Sequence, residues 1–389
     1  MDFMKYCENV KADNFKSPLA YGIARLSKGQ LSGDVVALSF ANVNYKENEN
    51  FYAVVYDILE LSAYKNKDEF FVNITKDKFC EIVDRFKEFG FEFSDEGLKG
   101  HENLKSLFYA YENSSDFDFA LVVLNADVKP TSIYSAYLKL HLISSHLPPH
   151  SLNLDGVFGL LKNLAWSDNE PYELEYLRQN KAKLVFSGKY PKIDFVDKFP
   201  RYLAHIVPDD SVRILDDSRV RFGAHISPKT TIMPGASYVN FNAGTLGAVM
   251  CEGRISSAAR VGEGSDVGGG ASILGVLSGT SGTPISIAKR CLLGANSVTG
   301  ISLGDDCVVD AGIAVLEGSK VSVSDSDLEL LKKANEGANF EGVRNGDKTI
   351  IKAKHLSGFN ALHFRQDSIG GGLIVKFNTK AVKLNESLH

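Results

Sequence analysis

Hydrophobic and polar positions fall into two unlike patterns along this chain, and the change comes near residue 220. Before it, continuous or alternating apolar runs such as Val35-Val36-Ala37-Leu38-Ser39-Phe40 and Phe119-Ala120-Leu121-Val122-Val123-Leu124 predict strands. Between them, Lys78–Phe86 places apolar residues at three- and four-residue spacing and predicts a helix. A second helix is predicted over Ser132–Leu140, after a Pro130-Thr131 pair able to cap it. Residues 1–200 therefore read as an α/β domain, with no short catalytic motif in it. Beyond it, small aliphatic side chains recur every six positions: Val220, Ile226, Ile232; Ile255, Val261, Val267, Ile273; Ile285, Cys291; Leu303, Val309, Val315, Val321.

A period of six fits neither an α-helix nor one long strand. It is the spacing of a hexapeptide β-helix, in which each hexad forms one face of a triangular coil. Composition sharpens this picture. Eighteen of the 34 glycines lie within 221–320, and no aromatic residue occurs between Phe241 and Phe340. A narrow interior has no room for rings, and glycines allow the close approaches that corners need. A flexible glycine-rich linker would not hold apolar residues in phase. The chain as a whole is thus expected to be mainly β: a left-handed parallel β-helix over 201–322, after the N-terminal α/β domain. The phase breaks between Ile273 and Ile285, and again near Val298–Ser302, where loops are expected on one face. Residues 323–389 are expected to hold a short helix over Asp325–Asn335, ended near Gly337, and a small β unit from Thr349–Lys354 and Gly372–Phe377.

Charge and cysteine content remove several classes. The net charge is -5 with no long Lys/Arg run, which argues against nucleic acid or an anionic membrane as partner. Five cysteines without a CxxC pair read as reduced thiols. No long apolar stretch and no signal-like N-terminus is present, so a soluble cytoplasmic protein is expected.

Enzymes on this scaffold commonly move acyl groups from CoA thioesters with a histidine base, but fold alone does not assign that here. No histidine occurs between His225 and His355. The main run of coils therefore supplies neither a histidine base nor a trihistidine zinc site. A carboxylate or backbone groups must act instead. Glu252, in Met250-Cys251-Glu252-Gly253-Arg254, and Asp266, beside the Gly268-Gly269-Gly270 run, are the candidates; either is equally a solvated corner residue. Arg254 suits a substrate carboxylate, and equally a surface ion pair. Gly262-Glu263-Gly264 lacks the third glycine and the strand–helix context of a nucleotide fingerprint, and no Walker sequence occurs.

Three segments carry a resemblance: Tyr238-Val239-Asn240-Phe241-Asn242-Ala243-Gly244-Thr245-Leu246-Gly247, Glu252-Gly253-Arg254-Ile255-Ser256 and Gly264–Ser272. With Lys289–Ser297, Gly304–Val309, Phe364–Ser368 and Leu384–His389, they resemble the tetrahydrodipicolinate N-succinyltransferases, from about Asp197 to the C-terminus. The N-terminal half is longer than this resemblance leads one to expect. The resemblance implies a homotrimer with sites between neighbouring β-helices, acting on small molecules. It implies succinyl transfer from succinyl-CoA, a co-substrate rather than a resident cofactor, to the amine of ring-opened tetrahydrodipicolinate. Glu252 becomes the catalytic carboxylate, either as an acyl-anhydride or as a base; direct attack by a free amine on a thioester is the simpler course. Gly275 matches the position whose N–H stabilises the oxyanion. Arg254, Gly269, Ser272, Ala295, Asp310, Ala311, Gly318, Lys352, Arg365, Gln366, Asp367 and Ser368 match succinyl-CoA-contacting positions, with Lys352 and Arg365 suited to the donor's anionic groups. Some members hold magnesium between acidic residues flanking the first coils; Ser218–Arg221 and Met233–Ser237 offer no matching pair, and Asp216 and Asp217 are displaced, so no metal is expected. Two other readings stay open: an acetyl-CoA-dependent N-acetyltransferase acting on a related amino acid or sugar amine, and a non-catalytic β-helical scaffold.

Overall fold

The computed structural model describes residues 2–145, 149–276, 282–380 and 384. The chain divides into two compact units, one of residues 1–142 with 147–200 and one of 143–146 with 201–389.

In the first unit, strands Ala20–Lys28, Val35–Tyr45, Glu69–Ile74 and Asp118–Leu124 form a four-stranded sheet. All its pairings are antiparallel, so the helices are interspersed with an antiparallel sheet rather than with the parallel sheet of an α/β domain, which corrects the α/β expectation. The apolar run ending at Leu124 is buried on both faces, which is why it reads as continuous rather than alternating. Leu121 and Val123 share a core with Phe51, Phe79, Ile82 and Phe86. The helix Lys76–Glu88 puts Phe79, Ile82, Val83 and Phe86 on its buried stripe, as their spacing predicts. The next predicted helix runs Ile133–Ser144, and the expected Pro-Thr cap is not what starts it. Ser132 Oγ accepts from Ser135 N at 3.2 Å, while the Thr131 hydroxyl donates to Glu69.

The second unit is built on three parallel ladders, produced by the six-residue period. The first stacks Arg213–Ile214, Thr231–Ile232, Val249–Cys251, Ser265–Val267, Leu292–Leu293 and Val308–Val309. The second stacks Tyr238–Val239, Arg254–Ile255, Ser272–Ile273, Val298–Thr299 and Ala314–Val315. The third stacks Gly244–Leu246, Arg260–Gly262 and Ser286–Ile287. Each strand is too short to be stable by itself; hydrogen bonds and packing come from the neighbouring coil, as in any solenoid.

Every six-period residue faces the interior, the most exposed being Ile285 at 3%. Cys251 lies on the buried column of Val267, Leu293 and Val309, Cys291 and Cys307 on the neighbouring column of Val249 and Ser265, and all three serve as small apolar fillers. The first expected phase break corresponds to a circuit from Asp266 to Leu292 that is longer than the next, from Leu292 to Val308. Most of its insertion, residues 277–281, lies outside the described residues.

The C-terminal helix runs Asp325–Ala334, with Ser324 Oγ accepting from Asp327 N at 3.2 Å. Strands Lys348–Lys352 and Leu373–Phe377 fall close to their expected positions. The small β unit they form does not stand apart. Leu362–Gln366 pairs parallel with Val308–Val309, so the first ladder continues directly into it. Phe364 follows Val309 on the buried column, the first aromatic ring admitted there after the coils end.

Candidate active site

Glu252 and Gly253 are the two residues between the strands Val249–Cys251 and Arg254–Ile255, and they make a sharp corner between the first and second ladders. In the following coils the same corner takes four residues, 268–271, 294–297 and 310–313, and projects further. Hydrogen bonds align these corners. Glu252 N donates to Val267 O at 2.8 Å, Gly268 N to Leu293 O at 2.8 Å, Gly294 N to Val309 O at 2.8 Å and Asp310 N to Phe364 O at 3.0 Å. Glu252, Gly268, Gly294, Asp310 and Arg365 therefore occupy one column. The projecting residues stack alongside: Gly270 N donates to Glu252 O at 3.2 Å, Asn296 N to Gly269 O at 2.9 Å and Gly312 N to Ala295 O at 2.8 Å.

Gly253 is dictated by packing. A Cβ there would lie 2.4 Å from Ala271 O and 2.9 Å from Gly268 O. Gly269, by contrast, faces the catalytic candidate: a Cβ on it would meet Glu252 Oε2 at 3.5 Å and nothing else within reach. Glu252 is half-buried and Arg254 exposed. Among the described residues, neither the Glu252 carboxylate nor the Arg254 guanidinium has a side-chain hydrogen bond or ion pair. A carboxylate and a guanidinium two residues apart, both without structural employment, are available to a ligand. The thiol next door is not. Burial pushes Cys251 up to about 12, with the Asp266 and Glu252 charges adding to the rise and a hydrogen bond to Gly253 O opposing it. It stays protonated and is no nucleophile at neutral pH.

The second ladder presents Tyr238, Arg254, Ser272, Val298 and Ala314 in register on its outer side. The sequence-predicted residues thus gather on this face and its two bordering corners. Glu252, Gly269, Ala295, Asp310, Ala311 and Arg365 follow one corner. Gly275 belongs to the other corner, where its Cβ position lies 3.2 Å from Ser256 Cβ, so it is not brought beside Glu252. Gly318 lies beyond the same end of the second ladder. There Ala353 N donates to Ser319 O at 2.8 Å, which brings Gly318 close to Lys352. Lys352 itself is exposed and pairs across the strands with Lys320.

Gln366, Asp367 and Ser368 lie at the hairpin joining Leu362–Gln366 to Leu373–Phe377. Asp367 is engaged within that turn, Oδ1 accepting from Ile369 N at 3.1 Å. Asp266 is half-buried on the outer side of the first ladder, between Met250 and Leu292. Among the described residues no group of three or more His, Cys, Asp and Glu is arranged to hold a metal ion.

Sequence reasoning missed His363. Its Nε2 lies 2.8 Å from Asp310 Oδ1, while Arg365 Nε donates to Asp310 Oδ2 at 2.9 Å. No local motif announces the cluster, because register alone joins residues fifty-five positions apart.

Family models of the tetrahydrodipicolinate N-succinyltransferase N-terminal and middle regions match residues 1–159 and 161–201, and the hexapeptide repeat of succinyl-transferase matches 284–317. A Campylobacter jejuni protein named 2,3,4,5-tetrahydropyridine-2,6-dicarboxylate N-succinyltransferase is 52% identical over 100% of this chain and 98% of its own length. The chain belongs to the tetrahydrodipicolinate N-succinyltransferase family. A Helicobacter pylori protein of the same name is 42% identical over 100% of this chain and 99% of its own length. A Campylobacter jejuni crystal structure, described as a 2,3,4,5-tetrahydropyridine-2-carboxylate N-succinyltransferase, shares 51% identity at a TM-score of 0.87 and covers 98% of both chains. The match corrects the expectation that likeness begins near Asp197. The N-terminal half is family sequence, and its length is that of these relatives.

Proposed function

We propose that this chain is a succinyl-CoA-dependent acyltransferase of diaminopimelate and lysine biosynthesis. It passes the succinyl group to the amine of ring-opened tetrahydrodipicolinate, giving N-succinyl-2-amino-6-oxopimelate and CoA. The observation that carries the reading is the full-length match to proteins named for this transfer. The unemployed Glu252 and Arg254 on a glycine-lined corner support it.

In this reading the coils form a left-handed β-helix, and three copies of the chain assemble in the cytoplasm. Residues 201–322 carry the site and 323–389 close its far end, after the N-terminal domain of residues 1–200. The amine attacks the thioester carbonyl, forming the C–N bond. Glu252 takes the amine's proton, the C–S bond breaks and CoA leaves as the thiolate. The Gly275 N–H holds the oxyanion. Because Gly275 and Glu252 occupy opposite corners of one face, a neighbouring copy is needed to bring a Glu252 and a Gly275 to the same carbonyl. Arg254, Gly269, Ser272, Ala295, Ala311, Gly318, Lys352 and Arg365–Ser368 line the donor, and Asp310 stands behind Arg365. No metal takes part.

Succinyl-CoA and acetyl-CoA offered together in equal amount, with tetrahydrodipicolinate limiting, test donor choice by product mass. Succinylated product is expected to predominate by at least about tenfold, the discrimination one charge-assisted carboxylate contact supplies. Predominantly acetylated product would move the chain to the acetyltransferase class. No acylated product from either donor would favour the scaffold reading.

A further inference from the structure

The column that starts at Glu252 ends in a second ionic cluster whose role goes beyond donor contact. From Glu252 it passes Gly268 and Gly294, reaches Asp310 at the third rung and Arg365 at the fourth. At about 4.8 Å per rung, Asp310 stands roughly 14 Å from Glu252 and Arg365 roughly 19 Å. The two intervening positions carry no side chain, because packing forbids one. A Cβ at Gly268 would lie 2.7 Å from Leu293 O, and one at Gly294 would lie 2.5 Å from Ala311 N. The result is a lane without side chains, with a carboxylate at one end and a carboxylate–guanidinium pair at the other.

Asp310 is fully occupied at that far end. His363 Nε2 approaches Oδ1 at 2.8 Å and Arg365 Nε donates to Oδ2 at 2.9 Å, with side-chain exposures of 14%, 48% and 37% for His363, Arg365 and Asp310. Burial works to raise the Asp310 carboxyl, but the hydrogen bonds and charges of His363 and Arg365 outweigh it and hold the group below its usual range. Arg365 spends only Nε on Asp310. Among the described residues its two terminal NH2 groups have no partner, and they are held on a half-exposed side chain that would otherwise sample many rotamers. A guanidinium fixed in this way presents a planar fork suited to phosphate oxygens.

We propose that Asp310 is a positioning residue rather than a donor contact: with His363 it fixes Arg365, whose free NH2 groups take the diphosphate end of the acyl-CoA while the thioester lies at Glu252. This rests on the succinyl-CoA reading above and deepens it. The separation along the lane suits the pantetheine arm that joins thioester to diphosphate. Arg365 pre-set by Asp310 saves the entropy of ordering a long side chain at each binding event.

The test uses the full-length enzyme, Asp310→Asn, and two donors: succinyl-CoA, and S-succinylpantetheine, which lacks the diphosphate and nucleotide. For succinyl-CoA, KM is expected to rise about tenfold with kcat within about twofold, the signature of lost ground-state binding. For S-succinylpantetheine, the variant and the wild type are expected to behave alike. Arg365→Ala should reproduce the KM effect, and adding Asp310→Asn to it should change little more, since the two act as one unit. Should Asp310→Asn fail to fold, the comparison of donors is made with Arg365→Ala. A wild type active with both donors and a variant equally impaired on both would overturn the proposal alone, as would a loss confined to kcat. A wild type inactive with both donors would overturn the acyl-transfer reading and this proposal with it.

Discussion

Replacing Glu252 by Gln is expected to lower kcat/KM for succinyl transfer by about 10²–10⁴-fold, the contribution of a positioned general base. The substitution keeps shape and volume but removes the proton acceptor. The carboxylate takes no side-chain hydrogen bond or ion pair among the described residues, so stability should change by no more than about 0.5 kcal/mol. Steady-state rates together with a urea unfolding midpoint read both quantities. A variant retaining activity within about tenfold would place the proton transfer elsewhere. A variant losing stability along with activity would give Glu252 a structural role that its contacts do not indicate.

Gly253→Ala should damage fold and site together. The added methyl would fall 2.4 Å from Ala271 O, 2.9 Å from Gly268 O and 2.9 Å from Val267 Cγ1. Two of these are backbone atoms fixed by the ladders, so the corner itself must move. Overpacking of this kind costs about 1–3 kcal/mol. The displacement falls on Glu252, the adjoining residue, and a shift of about 1 Å at a reacting group lowers rate by roughly 10²-fold. Gly269→Ala is the control for stability, because its methyl would meet only Glu252 Oε2, at 3.5 Å. Thermal midpoints and kcat/KM for both variants separate the two effects. Normal stability and activity in Gly253→Ala would mean that the corner is softer than its contacts indicate.

The coil was legible because its determinant is local and repeated. Val261, Val267 and Ile273 must point inward if each hexad is one face, and the lack of rings between Phe241 and Phe340 sets the width of the interior. All of these six-period residues are buried. Glu252-Gly253-Arg254 was legible as chemistry, since a carboxylate and a guanidinium beside glycines invite a ligand reading. That Gly253 answers to Ala271 O was not, because the contact reaches across to the next coil. The same limit hid His363, whose partner Asp310 is reached only through the register of Leu362–Gln366 on Val308–Val309. It also hid the antiparallel pairing of the first sheet, which strand patterns alone do not determine. Gly275 was legible as a match to a family position, but not as a residue of the opposite corner.

Thiol release from succinyl-CoA by the wild-type enzyme, followed with and without tetrahydrodipicolinate, tests the central claim most directly. Release that requires the acceptor, at one thiol for each acceptor consumed, is the predicted result. Release that proceeds equally without acceptor, or no release at all, would contradict it.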